Sequence, residues 1–331
     1  MEYIINDCID PYFNLALEEF LFTLNDNNTY FWLWQNDNTI VIGKNQNAFQ
    51  EIKADFVREN NIKVARRITG GGAVYHDLGN LNFTFIVPSR GGKDYDFHRF
   101  TGLIAQALKT FGLQAEHSGR NDLLLAGKKF SGNAQLVGKA KVLHHGTLMF
   151  SSDTGIIEKC LNPSPEKLKA HGVGSVKSRV TTIAEHLPIK ISLADFKDEL
   201  AKRICKEYAQ TNIRPLAQEE LTAINKLRDN KFAAYEWIYG ASPEFNYSKT
   251  MRFEGCGSIN LSLSLTKSNT IENCKISGDF FGSGDISELE VLLKGQTRTK
   301  ECIFDAVKDV DLKYYFSNLN IADFLLLFEE N

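Results

Sequence analysis

The 331-residue chain has no apolar run approaching the roughly 20 residues that a membrane-spanning helix needs. Its six cysteines (Cys8, Cys160, Cys205, Cys256, Cys274 and Cys302) are scattered and form no C-x-x-C pair. That pattern argues against a structural zinc site and fits reduced thiols in a cytoplasm. A formal charge of −3 gives no sign of a nucleic-acid or membrane surface. The N-terminus, MEYIINDCID, carries acids and no long apolar core, so no signal peptide is expected. There is no internal repeat and no low-complexity segment. The familiar nucleotide loops are missing as well. No G-x-x-x-x-G-K-[ST] occurs, and the one run of glycines leads into a strand rather than a helix. Any nucleotide bound here is therefore held by a sheet-and-loop site.

What is present begins at Arg66 with RRITGGGAVYHDLGNLNFTF. Three consecutive glycines have no Cβ and free access to φ > 0. A ligand can approach such a backbone closely, and successive N–H groups can form an anion-binding nest. Gly-Gly-Gly alone would read as a hairpin turn. The two arginines in front of it add fixed charge suited to a carboxylate or phosphate. A second stretch, GRNDLLLAGKKFSGNAQLVGKAKVLHHGTLMF, runs from Gly119 to Phe150. Here Lys129 lies beside Ser131, Gly132 and Asn133 at a strand edge. A compact ammonium can neutralise a carboxylate first and a phosphate later. The adjacent histidines His144 and His145 point to opposite faces of a strand, so they cannot easily share one metal.

The apolar content of 43% supports a sizeable core, and the length fits one large domain plus a small one. Asp10 and Pro11 open a helix that runs to about Leu24, with Phe13, Leu17, Phe20, Leu21 and Leu24 at helical spacing. Strands are expected at Tyr30–Trp34, Thr39–Gly43, Val64–Ile68, Ala73–His76, Asn80–Val87, Asp122–Leu125, Phe130–Leu136 and Leu143–Phe150. Helices are expected at Ala54–Asn60, Asp96–Phe111, Ile156–Leu161, Pro165–His171, Leu193–Gln210 and Gln218–Lys226. A separate unit starts near Pro243. Its expected strands are Ser258–Thr266 and Ile271–Ser277, joined by a turn at Ser268-Asn269. Its expected helices are Ile286–Lys294, Lys300–Asp309 and Ile321–Phe328. The fold class is α/β (α+β), a large sheet domain with packed helices and a small C-terminal α/β domain.

The segments RRITGGGAVYHDLGN, GRNDLLLAGKKFSGNAQ, HHGTL and GVGSVKSRVTTI, in that order, resemble the motif set of lipoate–protein ligases. The likeness starts at DPYFNLALEE and runs to YEWIYGASPEF, which resembles the junction with the family's small C-terminal domain. It implies a catalytic domain over 1–242, of the fold shared with biotin ligases and octanoyl transferases, and an accessory domain over 243–331. It also implies ATP and Mg²⁺ as co-substrates and lipoate as substrate. The implied acceptors are lipoyl domains of 2-oxoacid dehydrogenase complexes or the glycine-cleavage H protein. A cytoplasmic, monomeric enzyme is expected. Carried over by residue, the resemblance puts the lipoyl and adenylate groups along Arg67 and the loop Gly70, Gly71, Gly72, Ala73, Val74 and Tyr75. Lys129 is the expected catalytic cation. Asn121, Asp122, Ser131 and His145 are further substrate or ATP contacts, and Asp122 is the candidate for Mg²⁺. The loop Gly172–Thr182, with Lys177 and Arg179, is expected to close over the adenylate.

Each of these residues has a plainer role open to it. Asp122 can simply hydrogen-bond a turn, His145 can be structural, and Lys177 and Arg179 can be a solvated pair. Phe31, Trp32 and Trp34 form an aromatic strand that reads mainly as core, although one of them can line an apolar tunnel. The main rival is an octanoyl or lipoyl transferase that works through a cysteine thioester without ATP. Cys160 is the only cysteine near the motifs, and it reads as a buried thiol on a helix. A non-catalytic lipoate-binding protein is the third reading, against which the complete Arg67, Gly70–Gly72 and Lys129 set argues. Biotin ligation is disfavoured because no G-R-G-R-x-x-x-W loop occurs.

Overall fold

The computed structural model describes residues 1–89, 96–119, 121–162, 179–240 and 245–329. The expected helix at 165–171, Lys177, and Pro243 in the expected inter-domain segment lie outside those residues.

One large sheet organises the N-terminal part. Its strand order is β11-β1-β2-β6-β10-β9-β8-β7. These are Asn212–Pro215 (β11), Glu2–Ile5 (β1), Tyr30–Trp34 (β2), Asn80–Pro88 (β6), Lys141–Met149 (β10), Lys128–Val137 (β9), Asp122–Leu125 (β8) and Glu116–Ser118 (β7). The central strands are antiparallel, and β1 runs parallel to both of its neighbours. A small sheet of Lys63–Arg66 (β4), Thr39–Ile42 (β3) and Val74–His76 (β5) completes this part.

Helices cover both faces, so the alternation along each central strand points into two different cores. On one face Phe31, Leu33, Phe83 and Phe85 pack with Phe100, Ile104, Phe196 and Leu200 of helices Phe97–Lys109 and Leu193–Lys206. On the other, Tyr30, Trp32 and Trp34 pack with Phe13, Leu17, Leu21 and Ile224 of helices Pro11–Thr23 and Gln218–Leu227. Asp10 caps the first of these helices by accepting from the Tyr12 N–H, with Pro11 at its first position as expected. His144 follows the alternation into the first core, where it stacks on Phe100 with ring centroids 4.7 Å apart. His145 points the other way.

The C-terminal part has its own core, built on Tyr247–Phe253 (β12), Gly257–Leu265 (β13) and Ile271–Gly278 (β14). Two of these strands were expected and β12 was not. Its YSKTMRF sequence alternates exposed and half-buried positions until Phe253, so it offers little apolar signal. The expected turn is present, with Asn269 at φ 61°. The edge strands β7 and β11 and the neighbouring β1 were also missed, each being only three or four residues long.

Among the described residues, two backbone hydrogen bonds tie the C-terminal part to the N-terminal one. The Gly278 N–H donates to Asn45 O at 2.9 Å, and the Gly71 N–H donates to Phe280 O at 3.4 Å. Phe281 packs edge-on against Phe97 at 5.7 Å.

Candidate active site

A single row of cross-strand neighbours runs across the large sheet. Trp34 on β2 is opposite Asn82 on β6, and Asn82 is opposite Thr147 on β10. Thr147 Oγ1 accepts from the Gly132 N–H on β9, and Gly132 is opposite Asp122 on β8. With strands about 4.8 Å apart, Trp34 and Asp122 are roughly 19 Å from each other. A cavity of about 340 Å³ lies along this row. Leu15, Trp34 and Val41, with His76 and Asn82 beside them, line it at the β2 side of the row, and Asn121, Asp122, Lys129 and Arg179 line it at the β8 side. A second cavity of about 520 Å³ shares Asp122, Lys129 and Arg179 with the first. Room of this size with an apolar end and a charged end suits an elongated amphiphile.

The charged end is built by adjacent strands. Lys129 Nζ lies 2.8 Å from Asp122 Oδ1. Asn121 and Asn133 clasp each other, each side-chain amide donating to the other's main-chain oxygen at 2.8 and 2.9 Å. Arg179 arrives through a parallel bridge between Lys129 and Val180.

The glycine loop is held from behind. Arg67 is buried, and its guanidinium makes four hydrogen bonds, to Thr69 Oγ1, Val41 O, Gly70 O and Gly72 O. Burial lowers its pKa to about 10, so it remains charged at neutral pH. Its charge thus orders the loop's carbonyls Gly70 O and Gly72 O, while the Gly71 N–H donates to Phe280 O. Arg66 is spent on the main-chain oxygens of Gly43, Lys44, Gln46, Trp237 and Ile238. Gly71 has φ +92°, and the Cβ of any residue at Gly70 would lie 2.3 Å from Phe280 O.

Behind the loop runs a buried polar chain. Thr69 Oγ1 lies 2.8 Å from His145 Nε2, and His145 Nδ1 lies 2.8 Å from Glu18 Oε1. Glu18 also accepts from Thr84 Oγ1 at 2.7 Å, and Thr84 accepts from Trp34 Nε1 at 2.9 Å. A buried carboxylate needs such a set of donors. With Nδ1–H donated to Glu18, Nε2 accepts from Thr69 and the Thr69 oxygen accepts from Arg67. Every member is then satisfied, which makes the network a rigid support for the loop.

Of the residues picked out by sequence, Arg67, Gly71, Gly72, Ala73, Val74, Asn121, Asp122, Lys129 and His145 line the first cavity. Tyr75 lines only the second, and its hydroxyl donates to Asn38 Oδ1 at 3.0 Å. Gly70 and Ser131 line neither; Ser131 is buried and accepts from Asn133 Nδ2. Cys160 is fully buried, and burial pushes its thiol up to about 11. Sequence reasoning missed Glu18, Thr69, His76 and Asn82, together with Arg252, Asp279 and Phe281 from the C-terminal part, which also line the cavity. Asn14 and Glu18, four apart on the buried stripe of an apolar helix, were a signal for part of this set.

A model of the lipoyl protein ligase A/B catalytic domain matches residues 10–205, and one of the bacterial lipoate protein ligase C-terminus matches residues 242–328. The chain belongs to the lipoate–protein ligases. It is 41% identical over 329 residues to lipoate-protein ligase LplJ of Bacillus subtilis, covering 98% of this chain and 99% of that one. It is 38% identical over 331 residues to lipoate–protein ligase 1 of Staphylococcus aureus, covering 99% of both. Among solved structures it resembles LipL1 of P. falciparum in complex with lipoate, with a TM-score of 0.79, 26% identity and 99% coverage of both chains. The expected fold class therefore holds: a mixed α/β ligase domain with a small C-terminal sheet domain. No helix of this ligase, among the described residues, is long and apolar enough to cross a membrane.

Proposed function

We propose that this ligase activates lipoate with ATP to lipoyl-AMP and transfers the lipoyl group to a lysine of lipoyl domains. Carrying this reading is the row from Trp34 to Asp122, which joins an apolar pocket to a lysine-bearing polar end. The acid lies with its tail toward Trp34 and its carboxylate at Lys129. The carboxylate attacks the α-phosphate of ATP, and pyrophosphate leaves. The acceptor lysine amine, arriving deprotonated, then attacks the mixed anhydride, and AMP leaves. Lys129 neutralises charge on the acyl oxygen and phosphate in both halves. Main-chain N–H groups of the Gly70–Tyr75 loop hold the phosphate, with Arg67 fixing the loop from behind. Arg179 supplies a second cation beside Lys129.

Among the described residues no three carboxylate, histidine or cysteine side chains come together as a metal site. Asp122 and Asn121 nevertheless fit Mg²⁺ that arrives with the nucleotide, since that ion commonly binds one or two carboxylates plus substrate phosphates. Asp122 would then exchange Lys129 for the ion. The buried, high-pKa Cys160 speaks against the thioester rival, because a nucleophilic cysteine needs an accessible thiolate. A relative solved as a ligase with its E2 lipoyl domain supports the choice of acceptor class; the chain is proposed to act as a monomer in the cytoplasm. The domains are proposed to divide near residue 242. The test is purified protein with ATP, Mg²⁺, lipoate and a panel of lipoyl domains, H protein included, read by mass shift. Unmodified domains throughout, with no lipoate-dependent ATP–pyrophosphate exchange, would sink the reading.

A further inference from the structure

At the Trp34 end, the cavity wall carries hydrogen-bond donors that nothing in the described residues uses. His76 Nε2 and Asn82 Nδ2 are both buried without a partner among those residues, and both residues line the cavity. His76 meets Trp34 edge-on at 6.2 Å between ring centroids, and Asn82 is the cross-strand neighbour of Trp34. A buried donor without an acceptor is costly, so a native protein keeps one where a ligand or water supplies the acceptor.

The neighbours of His76 fix where its proton sits. Asn14 Nδ2 is 2.9 Å from each of three oxygens, Cys8 O, Gln35 O and Asn36 Oδ1. Asn36 therefore turns its oxygen to Asn14 and its amide nitrogen to His76 Nδ1, at 3.1 Å. Nδ1 accepts, and the single ring proton is on Nε2. Burial drives the His76 pKa down to about 3, which keeps the ring neutral. Asn82 shares one amide–amide hydrogen bond with Asn80, whose Nδ2 donates to Asn82 Oδ1 at 2.9 Å, and the remaining polar atom of each amide is buried without a partner among the described residues, so His76 carries the assignment.

We infer that His76, assisted by Asn82, makes this pocket prefer a dithiolane-bearing acid over a plain fatty acid by donating Nε2–H to a ring sulfur. The inference rests on the proposed orientation of the acid, with its tail toward Trp34. A disulfide sulfur has lone pairs that accept weakly, whereas a methyl terminus has none. A saturated tail would displace whatever solvates these donors and leave them unpaired. Sites built to hydrogen-bond a group reject the analogue that lacks it more strongly than apolar pockets reject a size change.

Dissociation constants of lipoate, octanoate and 5-cyclopentylpentanoate decide the matter. The last has methylenes in place of both sulfurs and the same outline. Wild-type protein is expected to bind lipoate about ten-fold more tightly than the cyclopentyl acid, the low end of the cost of leaving a buried donor unpaired. His76→Leu is expected to bring that ratio close to one while octanoate binding holds or improves. His76→Gln, which keeps an amide donor, is expected to retain part of the ratio. Equal binding of lipoate and the cyclopentyl acid by the wild type would overturn the inference, as would equal weakening of all three acids in His76→Leu. Should His76→Leu fail to fold, the wild-type ratio and Asn82→Leu decide alone. A ligase with normal lipoate-dependent pyrophosphate exchange but no sulfur preference defeats this inference only. Absence of exchange with every acid defeats the ligase reading and the inference together.

Discussion

The Lys129 ammonium lies 2.8 Å from the Asp122 carboxylate on the neighbouring strand. Asp122 therefore occupies the position that an anionic substrate group would claim. The pairing holds the lysine aimed along the strand row before any acid arrives, and an incoming carboxylate or phosphate exchanges one anion for another.

Lys129→Ala is expected to slow both adenylation and transfer by a factor on the order of 10²–10³, as for loss of one oxyanion donor. Lys129→Arg should not rescue, because a planar fork differs from a point charge in reach and shape. Pyrophosphate exchange and single-turnover transfer to a lipoyl domain are the measurements. Wild-type turnover in the alanine variant would remove Lys129 from the mechanism.

Cys160→Ser should leave lipoate-dependent pyrophosphate exchange and ligation largely intact, at a modest cost in stability, because this thiol sits inside an apolar cluster. Loss of ligation with the fold retained would favour the thioester route.

How much of this was legible in sequence depends on how far apart the partners are. The helix at Pro11–Thr23 and strands β2, β6 and β10 announce themselves through local periodicity and a cap. The loop and lysine motifs stand out because glycine and charge cluster along the chain. The support behind them does not. Glu18 and His145 are 127 positions apart, and only the pairing of β6 with β10 beside the first helix brings them together. Arg67 shows the same limit. Its charge and its place beside the glycines are readable, but its engagement with Gly70 O and Gly72 O is visible only in three dimensions. Phe281 belongs to a different domain altogether.

The small domain is expected to change orientation when the adenylate forms. Phe280 O now caps the Gly71 N–H, one of the groups proposed to bind phosphate. A site that first admits ATP and lipoate, and later a lysine on a folded protein, is served better by two arrangements than by one. Small-angle scattering on free enzyme and on enzyme with a non-hydrolysable lipoyl-adenylate analogue tests this. Gly70→Ala, whose Cβ would press on Phe280 O, should shift the free enzyme toward the opened distribution. An unchanged distribution with analogue bound would refute the motion.

Stability should fall as pH drops below about 6.5. Burial lowers the pKa of His76 to about 3, and that of His144 well below its ordinary value. In the unfolded chain both would titrate near 6.5. Between about 6.5 and 3 the unfolded state binds more protons than the native one, so unfolding free energy rises with pH across that window. Each buried ring adds a slope of up to about 1.4 kcal/mol per pH unit. Urea unfolding at pH 7 and pH 5.5 should show the loss, and His144→Phe should flatten it. An identical slope in that variant would assign the effect elsewhere.

Because the proposed site is laid across a sheet, its length is set by main-chain geometry. The distance from Trp34 to Asp122 is a count of strands multiplied by a spacing that hydrogen bonds hold nearly constant. Side-chain substitutions can widen the groove, and a smaller residue in place of Trp34 would deepen its end, but neither changes the strand spacing on which the groove is laid out. An acid two methylenes shorter must give up either the aromatic end or the lysine. The large sheet is thus a gauge for chain length, calibrated in strands.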